Sequence, residues 1–199
     1  LTTALLDEAA KFAGDVVAPL RRVGDVNPSR CHDGAVTIPP GYGEAIQQLG
    51  AGGWVGISAP QSEGGQGLPE LYGTVACEMW NSADMAFALE PFLSAGAAMA
   101  IAAHASDELK AIYLERIYSG QWSGTMNLTE SGAGSDLGPM KTRAEPEGDH
   151  FRIFGQKIFI TYGEHDMTEN IVHLVLARTP DAPEGVKGIS LFKIGRAHV

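Results

Sequence analysis

The sequence predicts an α+β fold: an all-helical N-terminal domain over residues 1–120, followed from residue 121 by the start of an antiparallel β domain. Three observations carry this. Apolar residues recur every three or four positions up to Gly120, the period drops to two at Trp122, and β-branched and aromatic residues gather between turn signals from there on. With 44% hydrophobic residues in 199, the chain can bury one good core or two small ones.

The first helix rests on Leu5, Ala9, Phe12, Val16 and Leu20, which share one face, while Asp7, Glu8, Lys11 and Asp15 fall mostly elsewhere. A short second helix follows Pro40 in PPGYGEAIQQLGAGG and is closed by glycines. Two more run from Pro69 to about Ala105, the later one expected to kink near Pro91. The apolar run from Pro91 to Ala105 is too short and too rich in Ala and Gly to span a bilayer, so no membrane span is expected. In SDELKAIYLERIYSG, Ser106 can cap, Asp107 and Glu108 occupy the first turn, and Leu109, Ile112, Tyr113 and Ile117 form the apolar stripe before Gly120.

Strands are expected in WSGTMNL, KTRAEP, HFRIFGQKIFIT, ENIVHLVLAR and VKGISLFKI, with FRI and KIFIT as the two arms of a hairpin around Phe-Gly-Gln. The tail KIGRAHV breaks the apolar pattern of that last strand, as a truncated reading frame would. No internal repeat or low-complexity linker is present.

Charge and cysteine usage narrow the function. The formal charge of -10, from 14 basic and 24 acidic residues, comes with no basic cluster for a phosphate backbone, so nucleic acid is not an expected partner. Cys31 and Cys77 form neither a CxxC pair nor a disulfide framework, which suits a reducing, cytoplasmic setting. No leader of charged then apolar residues opens the chain, although it begins without Met.

The stretch LTESGAGSDLGPMKT, residues 128–142, holds the densest chemistry. A nicotinamide fingerprint needs GxGxxG between a strand and a helix, but Gly132, Gly134 and Gly138 are one residue too far apart and strand-like sequence follows Pro139. A plain turn accounts for the composition but not for so many hydroxyls and free amides between two apolar strands. A third reading is a nest: successive small residues turn backbone N–H groups toward an anion, with Thr129 and Ser135 adding hydroxyls at its ends.

Other candidates carry less. His165 and Asp166, with His173 nearby, lack the spacing of a metal site and are read as loop hydrogen-bonding groups, so no metal is expected. Trp54 and Trp80 are read as core or domain-interface residues, His104 as a core histidine, and residues 61–67, QSEGGQG, as a mobile loop.

The order MNLTESGAGSDLGPMKTRAE, GDHFRIFGQKIFIT, VHLVLAR, KGISLF resembles the middle β domain of the flavin-dependent acyl-CoA dehydrogenases, and residues 1–120 resemble their N-terminal domain. The segment from Tyr162 to Phe192 is further similar to a branch with longer subunits. The resemblance implies FAD as cofactor, with Met126, Leu128 and Thr129 against the flavin ring and amides near Thr129 on its pyrimidine edge. It places Gly134 in the cofactor-binding loop and Ser135 where the flavin pyrophosphate and the CoA arm come close, so that Ser135 also touches substrate. Phe159 and Ile160 would cover one ring face, and the Thr161 hydroxyl would approach the reactive flavin nitrogen. Met126, Phe159 and Ser131 depart from the residues most common at those positions: an aromatic, Trp and Pro. The implied activity is oxidation of the Cα–Cβ bond of an acyl-CoA to the trans-2-enoyl thioester, with electrons passed to a carrier flavoprotein, in a homo-oligomer. The family's C-terminal helical domain, which bears the glutamate base, is absent, so no catalytic residue is expected here and the chain alone is expected to be inactive. Glu130, inside the nest, is read as structural rather than as a substitute base. The competing reading is a non-catalytic module of the same fold that binds acyl-CoA or a partner.

Overall fold

The computed structural model describes residues 2–195, so residues 196–199 of the anomalous tail lie outside the described residues. Helix α1 (Thr2–Phe12) runs through a π-helical turn (Ala13–Val17) into α2 (Ala18–Val26), and its inward face buries Ala9, Ala13, Val17 and Leu20. A hairpin of β1 (Arg30–His32) and β2 (Ala35–Thr37) follows. It turns on Asp33 and Gly34, both at positive φ, the Asp-Gly signal of a two-residue loop that the helical periodicity masked.

Helix α3 (Tyr42–Ala51) leads to residues 61–67, which are not a free loop. Gln61–Glu63 form a 3-10 turn, and the N–H groups of Gln66, Gly67 and Leu68 bond the carbonyls of Gly56, Ala59 and Ile57. Helix α4 (Glu70–His104) is two helices joined at Asp84, whose φ of -154° and ψ of 101° are not helical. The predicted kink at Pro91 is therefore seven residues late. The Asp84 carboxylate accepts from the N–H groups of Ala86 (3.0 Å) and Phe87 (3.4 Å), capping the second arm, and from the Tyr42 hydroxyl at 2.6 Å. By length and composition alone α4 could cross a membrane, but 44% of its most apolar window is buried within the chain. The break at Asp84 and a buried Glu90 mark it as a core helix, packed on β3 and α5.

Helix α5 (Asp107–Tyr118) has the expected cap, Leu109 N donating to Ser106 Oγ at 3.5 Å. Its buried face differs from the expected stripe: Leu114, Ile117 and Tyr118 are inside and Ile112 is exposed. Trp80 sits in the core with Trp54 edge-on at 5.6 Å, whereas His104 is exposed rather than a core histidine.

The β region corrects two expectations. β3 (Trp122–Asn127) pairs in parallel with β6 (Asn170–Ala177), Met126 standing opposite Leu174, while β6–β7 (Ser190–Ile194) and the β4 (Arg143–Glu147)–β5 (His150–Phe154) hairpin are antiparallel. Alternation reports which face a side chain takes but not the direction of its neighbour, and the long connection from Asn127 to Asn170 brings β6 back in the same sense. The second correction is that residues 157–161 are not a strand. β5 pairs with β4 instead, and the KIFIT segment leaves as a loop with Phe159 and Tyr162 at positive φ.

Candidate functional site

The parallel β3–β6 pair ends beside the glycine loop, and the KIFIT segment runs along that end. Bonds from Thr125, Ile158 and Lys157 join them. The Thr125 hydroxyl donates to the Thr161 carbonyl (2.8 Å), Ile158 N to the Thr129 carbonyl (2.9 Å), and Lys157 Nζ to the Leu128 carbonyl (3.0 Å). Leu128, Thr129, Phe159, Ile160 and Thr161 thus share one strip, with Met126 inside β3 next to it and packed against the core. Phe159 is 88% exposed, an aromatic ring held at a left-handed φ of 57° with its face free.

The glycine loop is pinned at its base and open at its tip. Glu130 and Ala133 exchange backbone hydrogen bonds of 2.9 and 3.1 Å, and the Asp136 carboxylate accepts from Gly138 N at 2.8 Å. Between them Gly132, Gly134 and Ser135 are exposed, and a side chain added at Gly132 or Gly134 would meet nothing. Among the described residues no partner takes the N–H groups of Gly132, Gly134 or Ser135. That donor set suits an anionic or carbonyl-bearing group. Gly134 and Ser135 stand at the tip, with no bond to the strip among the described residues.

Glu130 is fully engaged. Its carboxylate accepts from Lys141 N (2.8 Å), Thr142 N (3.0 Å) and Lys157 Nζ (3.0 Å). Burial pushes its pKa up, but hydrogen bonds from Thr142, Lys141 and Lys157 outweigh that and hold it at about 2. An acid so placed is a poor proton acceptor.

Two further groups were not singled out from sequence. Arg178, at the end of β6, donates to the carbonyls of Gly138 (2.7 Å), Met140 (3.1 Å), Pro183 (3.2 Å) and Gly185 (2.8 Å), tying the back of the glycine loop to residues 183–185. Arg178, Gly138, Pro183 and Gly185, with Asp136, Pro139, Ala182 and Glu184, line a cavity of about 460 Å³. Beneath β3, Ser94 Oγ donates to Glu90 Oε1 (2.6 Å) and accepts from Gly124 N (2.9 Å). Burial raises Glu90 to about 7 against the opposing Ser94 bond. Sequence offered only weak signals for these: an acid in an apolar helix, and an arginine ending an apolar strand.

The GEHD segment performs the expected loop bonding. His165 Nδ1 accepts from Met167 N (3.2 Å), leaving Nε2–H for Ser123 Oγ (3.0 Å), and Asp166 accepts from Ile38 N (3.0 Å).

Residues 2–121 match the family model described as acyl-CoA dehydrogenase, N-terminal domain. The chain belongs to the acyl-CoA dehydrogenase family. Among its relatives it is 52% identical over 192 residues to 3-methylmercaptopropionyl-CoA dehydrogenase of Ruegeria pomeroyi, covering 96% of this chain and 33% of that protein. It is 38% identical over 192 residues to a butyryl-CoA dehydrogenase of Syntrophomonas wolfei, covering 94% of this chain and 31% of that one. Glutaryl-CoA dehydrogenase of Mycobacterium smegmatis superposes with a TM-score of 0.78 at 25% identity, over 96% of this chain and 44% of that one. The chain therefore spans about a third of the length of the curated relatives it matches. It corresponds to their N-terminal and middle portions.

Proposed function

We propose that the chain forms the N-terminal (residues 1–120) and middle (from residue 121) portions of an FAD-dependent enzyme that oxidises the Cα–Cβ bond of an acyl-CoA to the trans-2-enoyl thioester. The observation that carries this reading is the strip of Leu128, Thr129 and residues 159–161, stitched by three bonds beside a glycine loop with free donors. FAD supplies the hydride acceptor when bound. Phe159 and Ile160 would cover one face of the ring, Met126, Leu128 and Thr129 would contact it, and the amides near Thr129 would bond its pyrimidine edge. The Thr161 hydroxyl would donate toward the reactive nitrogen, and the tip of the loop at Gly134 and Ser135 would hold the pyrophosphate, with Ser135 also reaching the CoA arm. Donors so placed stabilise the negative charge that develops on the flavin as it accepts a hydride.

Proton removal from Cα is assigned to a base outside residues 1–199, because Glu130 is occupied by three donors. Residues 1–199 alone are accordingly inactive. The 52% identity to a 3-methylmercaptopropionyl-CoA dehydrogenase supports a short thioether or alkyl acyl group as substrate. A separate flavoprotein is the electron acceptor. The setting is the cytoplasm and the state a homo-oligomer, in which exposed Met85, Phe92 and Met99 of α4 become covered.

Anaerobic addition of 3-methylmercaptopropionyl-CoA or butyryl-CoA to the FAD-loaded full-length protein tests the reading. Bleaching of the visible flavin band is expected, and none from residues 1–199. A full-length protein that keeps its flavin oxidised with every acyl-CoA, or that requires a nicotinamide, overturns the proposal.

A further inference from the structure

Lys157 and Glu130 form an ion pair inside the protein: their side chains are 9% and 8% exposed and their charged atoms lie 3.0 Å apart. Burying two charges costs several kcal/mol each before their attraction is counted. The pair also serves backbone groups, Glu130 accepting from Lys141 N and Thr142 N and Lys157 donating to Leu128 O, while Ile158 N to Thr129 O joins the KIFIT segment to the glycine loop and Thr125 Oγ1 to Thr161 O joins it to β3.

Their orientation points to a use. The Lys157 ammonium is bonded to the carbonyl of Leu128, on the strip itself, one residue before Thr129 and two before Phe159 along its own segment. The Glu130 carboxylate takes Lys157 Nζ and Thr142 N on Oε1 and Lys141 N on Oε2, at the base of the loop. The pair is thus a fixed dipole with its positive end at the strip and its negative end at the base of the loop. Beside a pair buried this deeply, one unit charge several ångströms away shifts a charge-forming equilibrium substantially.

We propose that Lys157 is an electrostatic positioning residue for the bound flavin, favouring its reduced, anionic form, and that Glu130 is the counter-charge that moderates this field. The inference rests on the flavin reading above and adds to it a signed effect of two residues that need not touch the ring.

The experiment measures the midpoint potential of flavin in the full-length holoenzyme by dye equilibration, for wild type, Glu130→Gln, Lys157→Met, Lys157→Arg and the Glu130→Gln/Lys157→Met double variant, with the flavin dissociation constant of each alongside. Removing the negative end should raise the potential and removing the positive end should lower it, each by about tenfold in the equilibrium constant for reduction. The double variant should return toward wild type, and Lys157→Arg should stay close to it. A purely structural pair gives changes of one sign, or looser flavin at an unchanged potential; either result refutes the inference. If Glu130→Gln fails to fold, Lys157→Met against Lys157→Arg decides alone: a lowered potential in the first only supports the inference, and equal potentials overturn it. A wild-type protein that binds no flavin defeats the functional reading and this inference together, whereas wild-type flavin binding with potentials indifferent to Lys157 defeats only the inference.

Discussion

Replacing Glu90 by Gln should stabilise the protein at neutral and alkaline pH and remove a pH dependence that the wild type carries. Glu90 is 2% exposed on α4, and the only hydrogen bond to its carboxyl among the described residues comes from the Ser94 hydroxyl. Burial dominates that bond, and the pKa rises from 4.5 to about 7. The unfolded carboxyl ionises near its ordinary value while the folded one still holds its proton, so between these pH values the native state binds more protons. Stability is then complete below the unfolded pKa and falls as pH rises toward about 7. The loss reaches roughly 3 kcal/mol, because each tenfold change in proton affinity is worth about 1.4 kcal/mol. Gln keeps an amide oxygen for Ser94 to donate to and has no charge to bury. Urea unfolding of both proteins from about pH 5 to about pH 8 measures the effect. The wild-type midpoint should fall across that range, the Glu90→Gln midpoint should stay nearly level, and the two should converge at the acidic end. Parallel curves, or a variant less stable than wild type near the alkaline end, would refute the reasoning. Glu130 cannot imitate the effect: its pKa is depressed, so its contribution is present above its ordinary value and is lost only as pH falls toward about 2.

Gly50→Ala should cost about 2–3 kcal/mol, since its Cβ would lie 2.1 Å from the Ser119 carbonyl oxygen; an unchanged urea midpoint would mean that α3 can move away from the end of α5. Arg178→Met leaves the carbonyls of Gly138, Met140, Pro183 and Gly185 without their charged donor, so about 2 kcal/mol of lost stability and early proteolytic cuts near residues 132–140 or 179–185 are expected, and wild-type cleavage kinetics would show that the loops hold without it. Thr129→Ala and Thr161→Ala in the full-length holoenzyme should each slow flavin reduction by an amount worth about 1–3 kcal/mol while leaving the unfolding midpoint nearly in place, and unchanged rapid-reaction rates in both would remove their assigned roles.

What the sequence determined by itself is what short-range physics encodes. The face of α1 through Ala9 and Leu20, the Ser106 cap of α5, the strands β3 and β6, and the base-pinned, donor-rich loop at 128–142 all follow from residues within a few positions of one another. A break in α4 was legible in the same way, although local rules favoured Pro91 and the deciding group was Asp84, held by Tyr42 from a different helix. The resemblance to the acyl-CoA dehydrogenases was legible because it rests on the order of whole segments. Tertiary structure decided the rest. Period-two alternation is identical in parallel and antiparallel partners, so the β3–β6 direction depended on the path of the chain between them. The KIFIT segment reads as a strand until its neighbours claim it, Lys157 for Glu130 and Ile158 for Thr129. Glu130 and Lys157 are separated by 27 residues, and Glu90 lies far from Gly124, the strand residue that shares Ser94 with it. A carboxylate's role depends on burial and on which donors reach it, and both are properties of the packed chain rather than of its neighbours in sequence.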